Sequence, residues 1–124
     1  MSNSFVIHLH YSSKKHWDLR LEKNDVLKSW AVPKEPPSES NIKRLAIQVE
    51  DHDLNYGSFE GMIPEGQYGA GLVEIWDEGT YTSEKWETNK IVFMISGKKL
   101  SGRYTLIKLK KSEKNEWLLF KTKS

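Results

Sequence analysis

Cysteine is absent from this 124-residue chain, which removes disulfides, zinc–thiolate sites and cysteine nucleophiles together. Long apolar runs are missing as well. Nothing approaches the ~18 residues a membrane-spanning helix needs. The opening MSNSFVIHL has no basic leader, and its apolar stretch is too short for a secretory signal. A soluble, cytoplasmic protein is therefore expected. Charge of one sign is also scarce, with a formal net charge of +2. A non-specific DNA coat protein usually carries far more, so any anion-binding surface here must be local. No segment holds a 3.6-residue apolar period of useful length, which argues against helices. Of only four prolines, three fall between Pro33 and Asn41, a stretch that reads as a surface loop rather than a domain linker.

What is present is two-residue alternation, the signature of half-buried strands. It covers Phe5 to His10, His16 to Glu22, Val26 to Val32, Arg44 to Glu50, Gly71 to Trp76, Lys90 to Ile95, Arg103 to Lys110 and Glu116 to Lys121. Turn chemistry separates these runs at Lys23-Asn24-Asp25, Glu78-Gly79, Ser96-Gly97 and Ser101-Gly102. Many short strands at close spacing predict an all-β fold, an antiparallel barrel or sandwich, with residues 1–124 as a single domain.

One hairpin concentrates the chemistry. In His16 to Glu22, alternate side chains point to opposite faces, so His16, Asp18, Arg20 and Glu22 share one face and Trp17, Leu19 and Leu21 the other. The preceding strand repeats the division, with His8 and His10 opposed to Phe5, Ile7 and Leu9. If Tyr11 to Lys15 is a hairpin loop, His10 faces His16, and directly opposed Cβ atoms lie ~5 Å apart. Two imidazoles and the Asp18 carboxylate then meet on the barrel's outer wall as a three-ligand site, with positions left open for water or substrate. Histidines on a strand face are commonly just solvated. An aspartate in phase, with an arginine two residues on, brings the metal level with that plainer reading. His8 is the weak member, either a helper of the site or an exposed strand residue.

The strand from Arg44 offers a second half. Arg44, Gln48, Glu50 and His52 share parity, against Leu45, Ile47 and Val49. An arginine and a histidine suit a phosphate, the first binding it bidentately and the second donating a hydrogen bond or a proton. Lys28 and Lys34 would add charge nearby. The loop from Glu60 to Gly71 invites a phosphate-cradle interpretation, but it lacks a P-loop lysine and runs into a strand. Glycines needing positive φ explain it more simply. Five tryptophans raise base stacking; packing suits Trp17, Trp76 and Trp117, and phase leaves Trp30 and Trp86 undecided.

Taken in order, FVIHLHYSSKKHWDLRLE, LKSWAVPK, KRLAIQVEDHDLNYGSFEG and IPEGQYGAGLVEIWDEGTY closely resemble the 3′-phosphoesterase module of bacterial DNA ligase D and its stand-alone archaeal relatives. The resemblance runs from Phe5 to about Phe120. It implies a β-barrel with a manganese-dependent site in an outer groove, with Zn²⁺ or Co²⁺ as other ions the ligands accept. It implies removal of a 3′-terminal ribonucleoside from a primer, then of the remaining 3′-phosphate, leaving a 3′-hydroxyl for end joining. By that resemblance His10, His16 and Asp18 hold the metal. Arg20 and His52 contact the scissile phosphate, and Lys34, Arg44, Glu50 and Tyr56 line the site. Expected partners are nucleic acid 3′ ends (a terminal ribonucleotide or 3′-phosphate), with a DNA ligase, a polymerase and Ku-type proteins. Relatives fused to ligases carry further charged residues before the first strand, where this chain has four residues ahead of Phe5. A shifted balance between diesterase and monoesterase steps is expected from that difference. The position of His8 is commonly glutamine in the family.

Two other classes compete. His16-x-Asp18 with His52 has the composition of the facial triad of non-haem iron oxygenases, although Arg20 and His10 would then lack roles. A catalytically silent nucleic-acid-binding barrel would explain a basic groove but not a metal triad.

Overall fold

The computed structural model describes residues 3–110 and 114–123, so the ends of the expected 1–124 domain lie outside it. Nine strands follow one another: β1 (Asn3–Tyr11), β2 (His16–Lys23), β3 (Val26–Val32), β4 (Lys43–Asp53), β5 (Gly61–Ile63), β6 (Gly71–Trp86), β7 (Lys90–Gly97), β8 (Ser101–Lys108) and β9 (Glu116–Lys121). One 3-10 helix, Leu54–Ser58, follows β4. The sheet runs β1-β2-β3-β4-β9-β8-β7-β6, and β1 also pairs with β6, which closes eight strands into an antiparallel barrel. The short β5 lies outside that ring, against the start of β6.

The alternation predicts which faces turn inward. Phe5, Ile7, Leu9, Trp17, Leu19 and Leu21 enter the core beside Trp30, Phe93, Tyr104, Leu106, Trp117 and Leu119. Trp30, undecided from phase, is completely buried, and Trp76 and Trp86 pack against the core from its margin. Asn24 and Asp25 both have positive φ (54° and 67°), as the two-residue turn between paired strands requires. That turn fixes the β2–β3 register, and with it Arg20 opposite Ser29.

Three expectations are corrected. Glu78-Gly79 is not a turn; both residues lie inside the sixteen-residue β6. Gly79 is there because a Cβ would come within 2.0 Å of the Ser96 carbonyl oxygen on β7, so a close strand approach mimics a turn signal. The proline-rich segment is a loop, yet Pro36 and Pro37 are buried, and the Tyr104 hydroxyl donates to the Pro37 carbonyl at 2.6 Å. The third correction concerns β4. Gln48 pairs with the core residue Trp30, and Arg44 with Leu119, so these two polar residues take the inward phase. The β3–β4 register then slips between Leu27 and Ser29, opposite Glu50 and Asp51. This irregularity switches the phase and delivers His52 to the outer face beside Leu27.

Candidate metal centre and anion pocket

The outer face of the β1–β2 hairpin is polar by alternation, but it is not exposed. The segment from His52 to Gly69 folds back over it as a roof. His8, His10, Asp18, Arg20 and Ser29 are between 0% and 7% exposed, as deep as the apolar residues behind them. A buried polar group without a partner costs ~1–3 kcal/mol, so this face must be densely bonded. It is.

The hairpin register sets His10 opposite His16 and His8 opposite Asp18. The two imidazole centroids of His10 and His16 lie 4.9 Å apart. His10 Nε2 donates to the Gly69 carbonyl at 2.7 Å, and His16 Nδ1 donates to the Lys14 carbonyl at 2.9 Å. Carbonyl oxygens only accept, so these contacts fix which nitrogen of each ring is left for a ligand. The two remaining nitrogens are the ones that converge on Asp18, with His10 Nδ1 at 3.8 Å and His16 Nε2 at 3.2 Å from Oδ2. Ligand atoms of the three residues lie within 4.8 Å of one another. Orienting each imidazole through a backbone carbonyl on its far nitrogen is how metal-binding histidines are commonly held. This donor set fits a divalent ion of the Mn²⁺–Zn²⁺ series and leaves coordination positions open. Burial alone would raise the Asp18 pKa, but the hydrogen bond from His16 and the Arg20 charge hold the carboxyl below its ordinary value. His16 is correspondingly raised, chiefly by its bond to Asp18.

Arg20 joins this centre to a second cluster. Its Nη2 donates to Asp18 Oδ2 at 3.3 Å, Nε to His8 Nδ1 at 3.0 Å, and Nη1 to Ser29 Oγ at 2.8 Å. Nη1 also lies 3.2 Å from His52 Nδ1. The Tyr56 ring covers the guanidinium at 4.9 Å and stacks on Phe59 at 5.2 Å. Burial lowers the Arg20 pKa while Asp18 opposes the shift, so a fixed cation sits beside the three candidate ligands. His52 Nδ1 reaches the Glu50 carbonyl (3.1 Å) and Arg20 equally well, and can serve only one of them. Bonding to Glu50 leaves Nε2 basic; accepting from Arg20 leaves Nε2–H as a hydrogen-bond donor. Burial and the Arg20 charge together lower the His52 pKa.

His8 is no bystander. Its Nδ1 accepts from Arg20, and its Nε2 donates to the Phe59 carbonyl at 3.1 Å, tying the arginine to the roof. Burial, then the Arg20 charge, lowers its pKa to about 4, which keeps the ring neutral as both bonds demand.

The structure therefore gathers His10, His16, Asp18, Arg20, His52 and Tyr56, with His8 and Ser29 behind them. Lys34 and Arg44 are not brought in. Lys34 is exposed just past the end of β3, and Arg44 Nε donates to the Glu35 carbonyl at 2.8 Å, tethering the loop that carries Lys34. The Glu50 side chain is exposed, and only its carbonyl touches the cluster. Lys28 pairs with Asp51 at 2.9 Å on the opposite face. A facial triad of His16, Asp18 and His52 is not assembled, because Arg20 stands between His52 and Asp18 while His10 takes the third position. Ser29 and Phe59 were missed in the sequence. Ser29 was within reach, since the Asn24-Asp25 turn alone places it opposite Arg20.

Residues 8–108 match the family model of the DNA ligase D 3′-phosphoesterase domain. The chain is 45% identical over 126 residues to the multifunctional non-homologous end joining protein LigD of Mycobacterium bovis, covering 98% of the chain and 16% of that protein. It is 46% identical over 125 residues to the LigD protein of Pseudomonas aeruginosa, covering 96% and 15%. With that of Mycolicibacterium smegmatis the identity is 42% over 120 residues, covering 88% and 16%. The chain thus spans about one-sixth of the length of these relatives.

Proposed function

The chain belongs to the DNA ligase D 3′-phosphoesterase family, and from that premise we propose that it is a divalent-metal-dependent hydrolase healing nucleic acid 3′ ends during end-joining repair. Its substrates are a primer strand with a terminal ribonucleotide and one with a 3′-phosphate, and its product is a 3′-hydroxyl. The observation that carries this reading is the convergence of His10 Nδ1 and His16 Nε2 on Asp18 with Arg20 alongside, an arrangement suited to a metal ion beside an anion.

His10, His16 and Asp18 would hold the ion, with Mn²⁺ proposed as the working metal. When bound, such an ion supplies Lewis acidity toward a phosphoryl oxygen and toward water. Arg20 supplies a preorganised positive charge for the charge developing on the phosphoryl group, because its bonds to His8, Ser29 and Asp18 hold it in place before substrate arrives. His52, in the tautomer that accepts from Arg20, can donate an Nε2–H hydrogen bond to the leaving oxygen. To protonate that oxygen the ring would first be doubly protonated, with Nδ1–H turned to the Glu50 carbonyl. Tyr56 closes the guanidinium from above and keeps water away from it. Lys34 and Glu50 act at the edge of the groove, and Arg44 acts through the loop it anchors. A ligase, a polymerase and Ku-type end-binding proteins are the proposed partners.

The test is a 5′-labelled primer–template ending in one ribonucleotide, incubated with Mn²⁺ and with excess chelator. A 3′-phosphate species followed by a 3′-hydroxyl product, both only with metal, is the expected result. Cleavage that persists in chelator would remove the metal from the reading, and no cleavage with any divalent ion would leave a nucleic-acid-binding barrel in its place.

A further inference from the structure

The loop between β5 and β6 carries an aromatic side chain that neither the fold nor the chemistry above uses. Tyr68 is fully exposed (102% relative to a free residue), more so than any other large hydrophobic residue described. Among the described residues its ring and hydroxyl have no partner. Its backbone, in contrast, is fixed. Gln67 N bonds to the Pro64 carbonyl at 3.3 Å and Ala70 N to the Gln67 carbonyl at 3.2 Å, which makes two successive turns. Gly66 (φ 86°) and Gly69 (φ 77°) occupy the third position of each, where a positive φ is needed. The second turn is then bolted to the metal centre, since the Gly69 carbonyl accepts from His10 Nε2. A ring on the residue next to Gly69 is thus held out into solvent from a hydrogen-bonded mount, one peptide away from the carbonyl that orients His10.

Scattered exposed aromatics are common on protein surfaces and by themselves signify little. The position here is different because of what surrounds it. Tyr11, 40% exposed, follows His10 on β1, and Lys15 Nζ lies 5.5 Å from its ring. Lys14 and Lys15 add cations at the hairpin tip that ends in His16. An exposed ring, mounted stiffly beside a phosphate-handling centre with cations nearby, is what a single-stranded nucleic acid end recognises. Every base has a π-face, so such a contact tolerates any sequence, as an end-processing enzyme requires.

We propose that Tyr68 is a stacking platform for the nucleobase at the 3′ terminus, setting how tightly the strand end is held over the metal centre. The proposal rests on the phosphoesterase reading for its substrate. The ring acts on binding and takes no part in the chemistry.

Wild type, Tyr68→Ala and Tyr68→Phe are compared on the ribonucleotide-tipped primer and on the same primer with an abasic terminal ribose. Loss of the ring should raise KM about 10-fold with kcat within about 2-fold, since one base stacked on a ring contributes ~1–3 kcal/mol. Tyr68→Phe should restore wild-type KM, and on the abasic end all three proteins should behave alike. An unchanged KM in Tyr68→Ala, or an equal penalty on the abasic end, would overturn the proposal. If wild type cleaves no primer at all, the phosphoesterase reading fails separately. Anisotropy of the labelled primer then decides the stacking: a roughly 10-fold weaker Kd for Tyr68→Ala supports it, and an unchanged Kd sinks it.

Discussion

Two buried carboxylates divide this molecule. Asp77, 2% exposed, accepts four backbone N–H bonds: from Glu78, Lys98 and Lys99 on Oδ1 and from Leu100 on Oδ2, at 2.8–3.1 Å. Asp18, 5% exposed, has only side chains around it: His10, His16 and Arg20. Both sit on strands, Asp77 beside the slip in the β1–β6 register, and both are fully engaged. The difference is in the kind of partner. Backbone donors cannot leave, so Asp77 is a knot that fixes the β7–β8 turn. Imidazoles can exchange a proton, and they and a guanidinium can exchange a neighbour for an ion or a phosphate, so the Asp18 cluster has the makeup of a ligand site. Burial of charge marks both places, and only the donor type tells structure from function.

Substitutions at the two sites should therefore fail in opposite ways. The largest effect is expected for Asp18→Asn, with at least 100-fold lower turnover of the ribonucleotide-tipped primer while urea unfolding stays cooperative. Asp77→Asn should do the reverse. Replacing one acceptor oxygen by an NH₂ that opposes a backbone N–H should lower stability by about 3 kcal/mol in urea melts, with kcat per folded molecule nearly intact. Similar turnover losses in both variants would erase the distinction. A smaller effect separates His8→Leu from His8→Gln. An amide can accept from Arg20 and donate to Phe59, so the glutamine should keep activity within about 3-fold, whereas leucine should lose roughly 10-fold by releasing Arg20.

The last effect is read from pH. His8 has a folded pKa of about 4, below the ordinary 6.5, with Arg20, Asp18 and His52 around it. Between those values the unfolded chain binds the extra proton, so stability should fall as pH drops from 6.5 toward 4. This residue contributes up to ~1.4 kcal/mol per pH unit to that slope. In His8→Gln the acid-side decline should be shallower by that amount. A parallel decline in both proteins would mean that His8 is not held neutral.

Much of this was legible in the chain. Strict alternation in β1 and β2 gave both faces of the hairpin, and the loop length gave the His10–His16 pairing. Phase failed in β4, because an irregular register leaves no mark on a pattern of alternating residues. Arg44, Gln48 and His52 therefore looked equivalent, although the first two turn inward and only His52 reaches the cluster. The roof was illegible for a related reason: the 3-10 helix and the glycine turns from Leu54 to Ala70 have no periodicity. Their contacts, Tyr56 on Arg20 and Gly69 on His10, span 36 and 59 residues of sequence. Gly79 misled in the opposite direction, its small size serving strand contact where a turn was expected.

The most direct measurement is calorimetric titration of Mn²⁺ into wild type, Asp18→Asn and Asp77→Asn. One ion per chain bound by wild type and by Asp77→Asn, and lost in Asp18→Asn, is the result expected of a centre built on His10, His16 and Asp18. Absence of binding to wild type, or binding that survives Asp18→Asn unchanged, would contradict it.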